Sequence, residues 1–146
     1  PKKLGNVQIR ILYKGANKNN AGVFIRIPEV PREAWAPVNT GYEVQIDDRE
    51  DSYHSTGVLY SFTKAKANPG KPNVWNEMLI TLNGKQTTVH VNGVLVTDFT
   101  EGDVVPEKKL EYEPNRWPRP EFGYIGLQNH GDNDVIYFKE VSLKAL

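Results

Sequence analysis

Gly41-Tyr42-Glu43-Val44-Gln45-Ile46-Asp47-Asp48 alternates strictly between apolar and polar residues. Read as a strand, it sets Tyr42, Val44 and Ile46 on one face and Glu43, Gln45 and Asp47 on the other. Two carboxylates and an amide in a row are unremarkable if that face simply meets water. Two further stretches, however, offer it company. Ala21-Gly22-Val23-Phe24-Ile25-Arg26-Ile27 puts Arg26 opposite Val23, Ile25 and Ile27, and Tyr124-Ile125-Gly126-Leu127-Gln128-Asn129-His130-Gly131 puts Gln128 and His130 opposite Ile125 and Leu127. These three strands are expected to share one sheet. Their polar faces would then converge, setting Arg26, Glu43, Gln45, Asp47, Gln128 and His130 on one concave surface.

The rest of the chain also reads as strands and turns. Val7-Gln8-Ile9-Arg10-Ile11 alternates, and the Gly- and Asn-rich segment from Lys14 to Asn20 predicts a hairpin joining it to the Ala21–Ile27 strand. Prolines at 28, 31 and 37 leave a loop around Trp35 with room for one helical turn. Thr56 to Phe62 reads as a short strand. Between Trp75 and Phe99, Asn83-Gly84 and Asn92-Gly93 separate three alternating runs, the strongest short-range hairpin signal, so a three-stranded meander is predicted there. Glu101 to Glu121 carries four prolines and reads as a long irregular segment of the kind that tends to be functional. A last strand runs from Val135 to Leu143. No stretch sustains a helical period, so the fold class is all-β, an antiparallel β-sandwich.

Composition removes several classes of function. Eighteen basic and 18 acidic residues balance in a chain of 146, which argues against a phosphate-binding stripe and hence against nucleic acid. The absence of cysteine excludes a disulfide framework, zinc–thiolate chemistry and a thiol nucleophile. No apolar run approaches the ~18 residues of a membrane span.

Four segments resemble the 3-keto-disaccharide hydrolase domain family. Asn20-Ala21-Gly22-Val23-Phe24-Ile25-Arg26 is similar to its N-S-G-V/I-F/Y-x-R strand, and Gly41–Asp48 to its G-Y/F-E-x-Q-I/V-x-D/N strand. Trp75-Asn76 with Val91-Asn92-Gly93-Val94 resembles its W-N…L-N-G-x pair, and Gly126-Leu127-Gln128-Asn129-His130-Gly131 its I-x-L-Q-D/N-H-G segment, with Phe138-Lys139-Glu140-Val141 where F-R-N-I usually stands. Ala21 in place of Ser, and Lys139-Glu140 in place of Arg-Asn, depart from the pattern. The resemblance implies a concanavalin A-like jelly roll forming one domain over residues 1–146. Family members carry further strands before the equivalent of Val7, so the domain is expected to lack its first strands and to expose an edge near Val7–Leu12 that invites association. Export to a periplasmic or extracellular location is a further expectation.

With the resemblance, Glu43, Asp47 and His130 become the candidate catalytic residues, and Arg26, Gln45, Gln128, Tyr60, Trp117 and Arg116 the candidate carbohydrate-binding ones. Each has a plainer reading. The Glu43–Asp47 row is equally a solvated strand face, and Arg26 a surface ion-pair partner. His130, at a strand end, is of the residue type most used for acid–base work, yet also fits a histidine capping the Asp132–Asp134 turn. His54 is read as solvated in its acidic loop although it lies within reach of the same rim, and His90 as a cross-strand surface residue. Trp35 and Trp117 serve equally as sugar platforms or loop plugs. No cofactor is expected. The acidic loops Asp47–Asp51 and Asp132–Asp134 offer oxygens to calcium, but neither has the length or glycine placement of a calcium loop. The functional reading is an enzyme cleaving 3-keto-glycosides. The alternatives are a carbohydrate-binding module without chemistry and a structural domain of a larger assembly.

Overall fold

The computed structural model describes residues 2–49 and 51–146. In chain order the elements are β1 (Val7–Gly15), β2 (Asn20–Ile27), a short helix α1 (Ala36–Thr40), β3 (Tyr42–Asp47), β4 (Asn76–Asn83), β5 (Gln86–Val91), β6 (Val94–Thr100), β7 (Tyr124–Asn129) and β8 (Ile136–Ala145). They form two antiparallel sheets, one of five strands in the order β6-β5-β4-β1-β8 and one of three in the order β3-β2-β7. The three segments expected to share a sheet are the three strands of the smaller one. The architecture is a jelly-roll β-sandwich.

Alternation explains the layers. Val7, Ile9, Ile11 and Tyr13 of β1 and Met78, Ile80 and Leu82 of β4 point inward from the larger sheet. Val23 and Ile25 of β2 with Tyr42, Val44 and Ile46 of β3 meet them from the smaller one. The meander forms as its turns dictate. Asn92 and Gly93 both take positive φ, at 49° and 79°, while in the preceding turn Asn83 stays in the ladder opposite Gln86 and Gly84 takes the positive φ of 53°.

Three local expectations are corrected. β1 and β2 do not form a hairpin but enter opposite sheets, where their apolar faces meet across one core. Lys18, at φ 59°, makes the crossing, and its N–H is held by Asp48 Oδ2 at 2.8 Å. β1 is accordingly an interior strand, paired with β4 on one side and β8 on the other, so no edge lies at Val7–Leu12. Thr56–Phe62 is no regular strand. It follows β3 through Gln45 N–H to Val58 O and Tyr60 N–H to Glu43 O, but positive φ at Gly57 and Ser61 bends it away at both ends.

The core thins toward β7 and β8. Val141 and Leu143 sit opposite Ile11 and Ile9 on the inner face, yet are 40% and 50% exposed. Leu127, opposite the buried Val23, is 49% exposed.

Candidate functional site

Strand register places the polar face of the small sheet residue by residue. Gln45 of β3, Gly22 of β2 and Gln128 of β7 form one row, and Glu43, Phe24 and Gly126 the next. Asn20 pairs with Asp47, and its carbonyl accepts the His130 N–H at 3.2 Å. Gly22 is what lets two side chains meet. A Cβ there would lie 2.9 Å from both Cγ and Oε1 of Glu43 and 3.1 Å from Oε1 of Gln128, so Glu43 and Gln128 lean toward each other over bare backbone. Asn20, Glu43, Gln45, Gln128 and His130 floor a cleft of about 520 Å³. Trp35 and Val38 wall it from the β2–β3 connection, and Arg49, His54, Tyr60 and Tyr112 from the opposite loops.

Glu43 is the electrostatic centre of this cleft. It is 6% exposed, and no cation pairs with it among the described residues. Burial pushes its pKa up to about 7, with the Gln128 amide pulling it down and the charge of Asp47 adding to the rise. Gln128 Oε1 is buried without a hydrogen-bond partner. A glutamine amide suits such a carboxyl in both of its states, accepting from the protonated form through Oε1 and donating to the ionised form through Nε2. Gln45 Nε2 donates to Asn20 Oδ1 at 2.7 Å, which fixes both amides along the floor.

Other expected site residues are placed differently. Arg26 leaves the polar face altogether. The β2–β7 register shifts between Phe24 and Ile27, and Arg26 itself adopts φ 56°. That bulge turns its side chain toward the other sheet, where the guanidinium donates to the carbonyls of Gly84, Gln86 and Pro120. It clamps the sheets together and does not line the cleft. Asp47 keeps its strand face but not its availability. Its carboxylate accepts the backbone N–H and Nε of Arg49 at 2.9 and 2.8 Å and pairs with Arg49 Nη2 at 2.6 Å. Arg116 spans the 101–121 loop, donating to Pro106 O, Pro114 O and Ser61 Oγ, and lines a neighbouring cavity. Trp117 is 71% exposed and does not line the cleft. Tyr60 does line it. His130 stands at the mouth, its side chain 60% exposed and Nδ1 3.9 Å from Asp134 Oδ2.

Several cleft residues are absent from the sequence-derived set, Val38 among them. Asn20 sits at the start of β2, where only register shows that it lies beside Gln45. Arg49 and Tyr112 arrive from loops. His54 is drawn in by Asp51, whose Oδ2 takes its Nδ1 at 2.8 Å, and its ring packs 5.6 Å from that of Tyr60. The Asp-x-x-His spacing is a signal for this contact that a solvated-loop reading passes over. In the acidic loops Asp48 accepts from Lys18 N–H, Asp51 from Tyr53 N–H and Asp134 from Asn20 N–H, while Glu50 lies outside the described residues. Among the described residues no group of three or more His, Asp or Glu is gathered to hold a metal ion.

Fold and cleft together define a jelly-roll β-sandwich whose concave polar face carries a buried carboxyl. The chain belongs to the 3-keto-alpha-glucoside-1,2-lyase-like domain family, whose model matches residues 1–144. Two proposed glycosyl hydrolases from Parabacteroides distasonis share its fold. One superposes with a TM-score of 0.81 at 23% identity, covering 99% of this chain and 80% of the other, and the second with 0.79 at 23%, covering 99% and 74%. The carbohydrate-binding module CBM66 of Bacillus subtilis superposes with 0.64 at 13% identity, covering 98% of this chain and 77% of the module. No curated protein sequence matches the chain.

Proposed function

We infer that this domain cleaves 3-keto-glycosides by 1,2-elimination followed by hydration, with Glu43 as the general base. The observation that carries the reading is a buried carboxyl poised at about 7, facing a sugar-sized polar cleft beside an amide able to partner either protonation state. A ketone at C3 acidifies the C2 hydrogen. Glu43 removes that proton, the C2–H electron pair forms the C1–C2 double bond, and the bond from C1 to the glycosidic oxygen breaks. Water adding at C1, with a proton returning to C2, completes a net hydrolysis. The Gln128 amide, beside Glu43 in the cleft, is the group available to stabilise the enolate oxygen, since Arg26 is committed elsewhere and Arg49 is held by Asp47. Gln45 and Tyr60 bind sugar hydroxyls, which both donate and accept. His130, at the mouth, exchanges protons with solvent. An exported location would bring the domain to extracellular glycosides.

Glu43→Gln preserves shape and removes the base. It is expected to abolish release of free sugar from a 3-keto disaccharide, and His130→Ala to lower it. Full turnover in Glu43→Gln overturns the assignment, and full turnover in His130→Ala removes His130 from it. A second reading, saturable binding of glycans without turnover, is favoured by the loosely held His130. It predicts that wild-type protein binds unoxidised sugars and releases nothing from a 3-keto disaccharide.

A further inference from the structure

A second cavity of about 340 Å³ adjoins the cleft, and His54 is the residue that lines both. Its volume lies in the ~300–1,000 Å³ range of small-molecule sites. Its walls come from the 101–121 loop and the segment after β3. Ser61, strained at φ 68°, donates its hydroxyl to Glu113 Oε2 at 3.0 Å while accepting from Arg116 Nη2 at 2.8 Å. Glu107 and Lys109 also line the cavity. Donors and acceptors thus both line it, as a hydroxyl-rich ligand requires.

We propose that this cavity receives the departing sugar of a 3-keto disaccharide and that His54, oriented by Asp51, protonates the glycosidic oxygen as it leaves. The proposal rests on the reading of Glu43 as base and adds the acid that reading lacks. Asp51 is placed to act as the orienting group. Its Oδ1 accepts the Tyr53 N–H at 2.8 Å while Oδ2 holds His54 Nδ1. In the imidazolium form, with Nδ1–H directed at Asp51, the Nε2–H is the transferable proton. As Glu43 takes the C2 proton and the C1–O bond breaks, the bonding pair stays on the leaving oxygen and Nε2 delivers its proton there. Two neutral products depart, an unsaturated 3-keto sugar and a free sugar. Glu43 is left protonated and His54 neutral, and solvent returns both to their starting states.

Leaving-group dependence distinguishes an acid from a turn staple. A 3-keto disaccharide leaves as a poor alkoxide and needs the proton, whereas a 4-nitrophenyl 3-keto-glucoside leaves as a stabilised phenolate. His54→Gln is expected to lower kcat/KM on the disaccharide by roughly 10²-fold or more, the ordinary contribution of a general acid, and far less on the aryl substrate. Asp51→Asn, which keeps the turn but disturbs the tautomer, should reproduce the same asymmetry more weakly. Lys109→Ala should raise KM for the disaccharide and not for the methyl 3-keto-glucoside, which does not reach the second cavity. Equal losses on both substrates, or none, overturn the role of His54 even where Glu43→Gln abolishes turnover of both. A wild-type protein that cleaves neither substrate overturns the parent reading and this one with it.

Discussion

Burying a carboxyl without a cation puts chemistry and stability in opposition at Glu43. Its folded pKa, about 7, lies above the ordinary 4.5, so between those values the native state holds a proton that the unfolded chain has released. The contribution of this group to stability is therefore fully present below about pH 4.5 and is lost as pH rises through 7. The separation corresponds to on the order of 3 kcal/mol above pH 7. Glu43→Gln should accordingly be more stable than wild type at pH 8, with the difference vanishing near pH 4, as read by urea unfolding at the two pH values. A variant no more stable at pH 8 would show that the carboxyl is not held in the way its burial indicates. The parity of Glu43 and Gln45 was legible from the alternation of Gly41–Asp48. Their burial was not, because it depends on loops that fold over the strand face. Neutralisation of Asp47 came instead from Arg49, two residues away.

At the scale of elements, Arg26 shows how one backbone angle redirects an alternating pattern. Strict alternation places it beside Phe24 and Gly22, and the bulge between Phe24 and Ile27 sends it across to the β4–β5 turn. The loop before β7 is shaped to this bulge, since a side chain at Gly123 would collide with the Arg26 backbone. Arg26→Met keeps the aliphatic stem but withdraws the donors from three carbonyls, which should destabilise by about 3 kcal/mol or more. Denaturant unfolding measures that loss, and KM for a 3-keto disaccharide should stay near its wild-type value. A large rise in KM with stability unchanged would return Arg26 to the sugar site. The 101–121 loop likewise read correctly as irregular, but its anchors did not. Arg119, 6% exposed, donates to the carbonyls of Gly41, Asn115 and Trp117 and lies over the Tyr42 and Phe62 rings.

For the whole molecule, facing residues on adjacent strands should differ sharply in what they contribute. Ile9 is fully buried, while Leu143, its partner across the ladder, is half exposed where the core thins. Ile9→Ala is expected to cost about 3 to 4 kcal/mol and Leu143→Ala below about 1.5 kcal/mol. Equal losses in chemical denaturation would mean that the β8 inner face is covered in solution. By itself the sequence determined the regular strands, though not the irregular course of Thr56–Phe62, and with them the two Asn-Gly turns, the polar row of β3 and the grouping of β2, β3 and β7, because each is written in a local period or a short motif. Tertiary structure alone decided that β1 and β2 part into different sheets, that Arg26 crosses the core, and that His54 joins the cleft. These depend on how two apolar faces meet across the core, on a single bulge and on a loop contact between Asp51 and His54, and none of the three has a period in the chain.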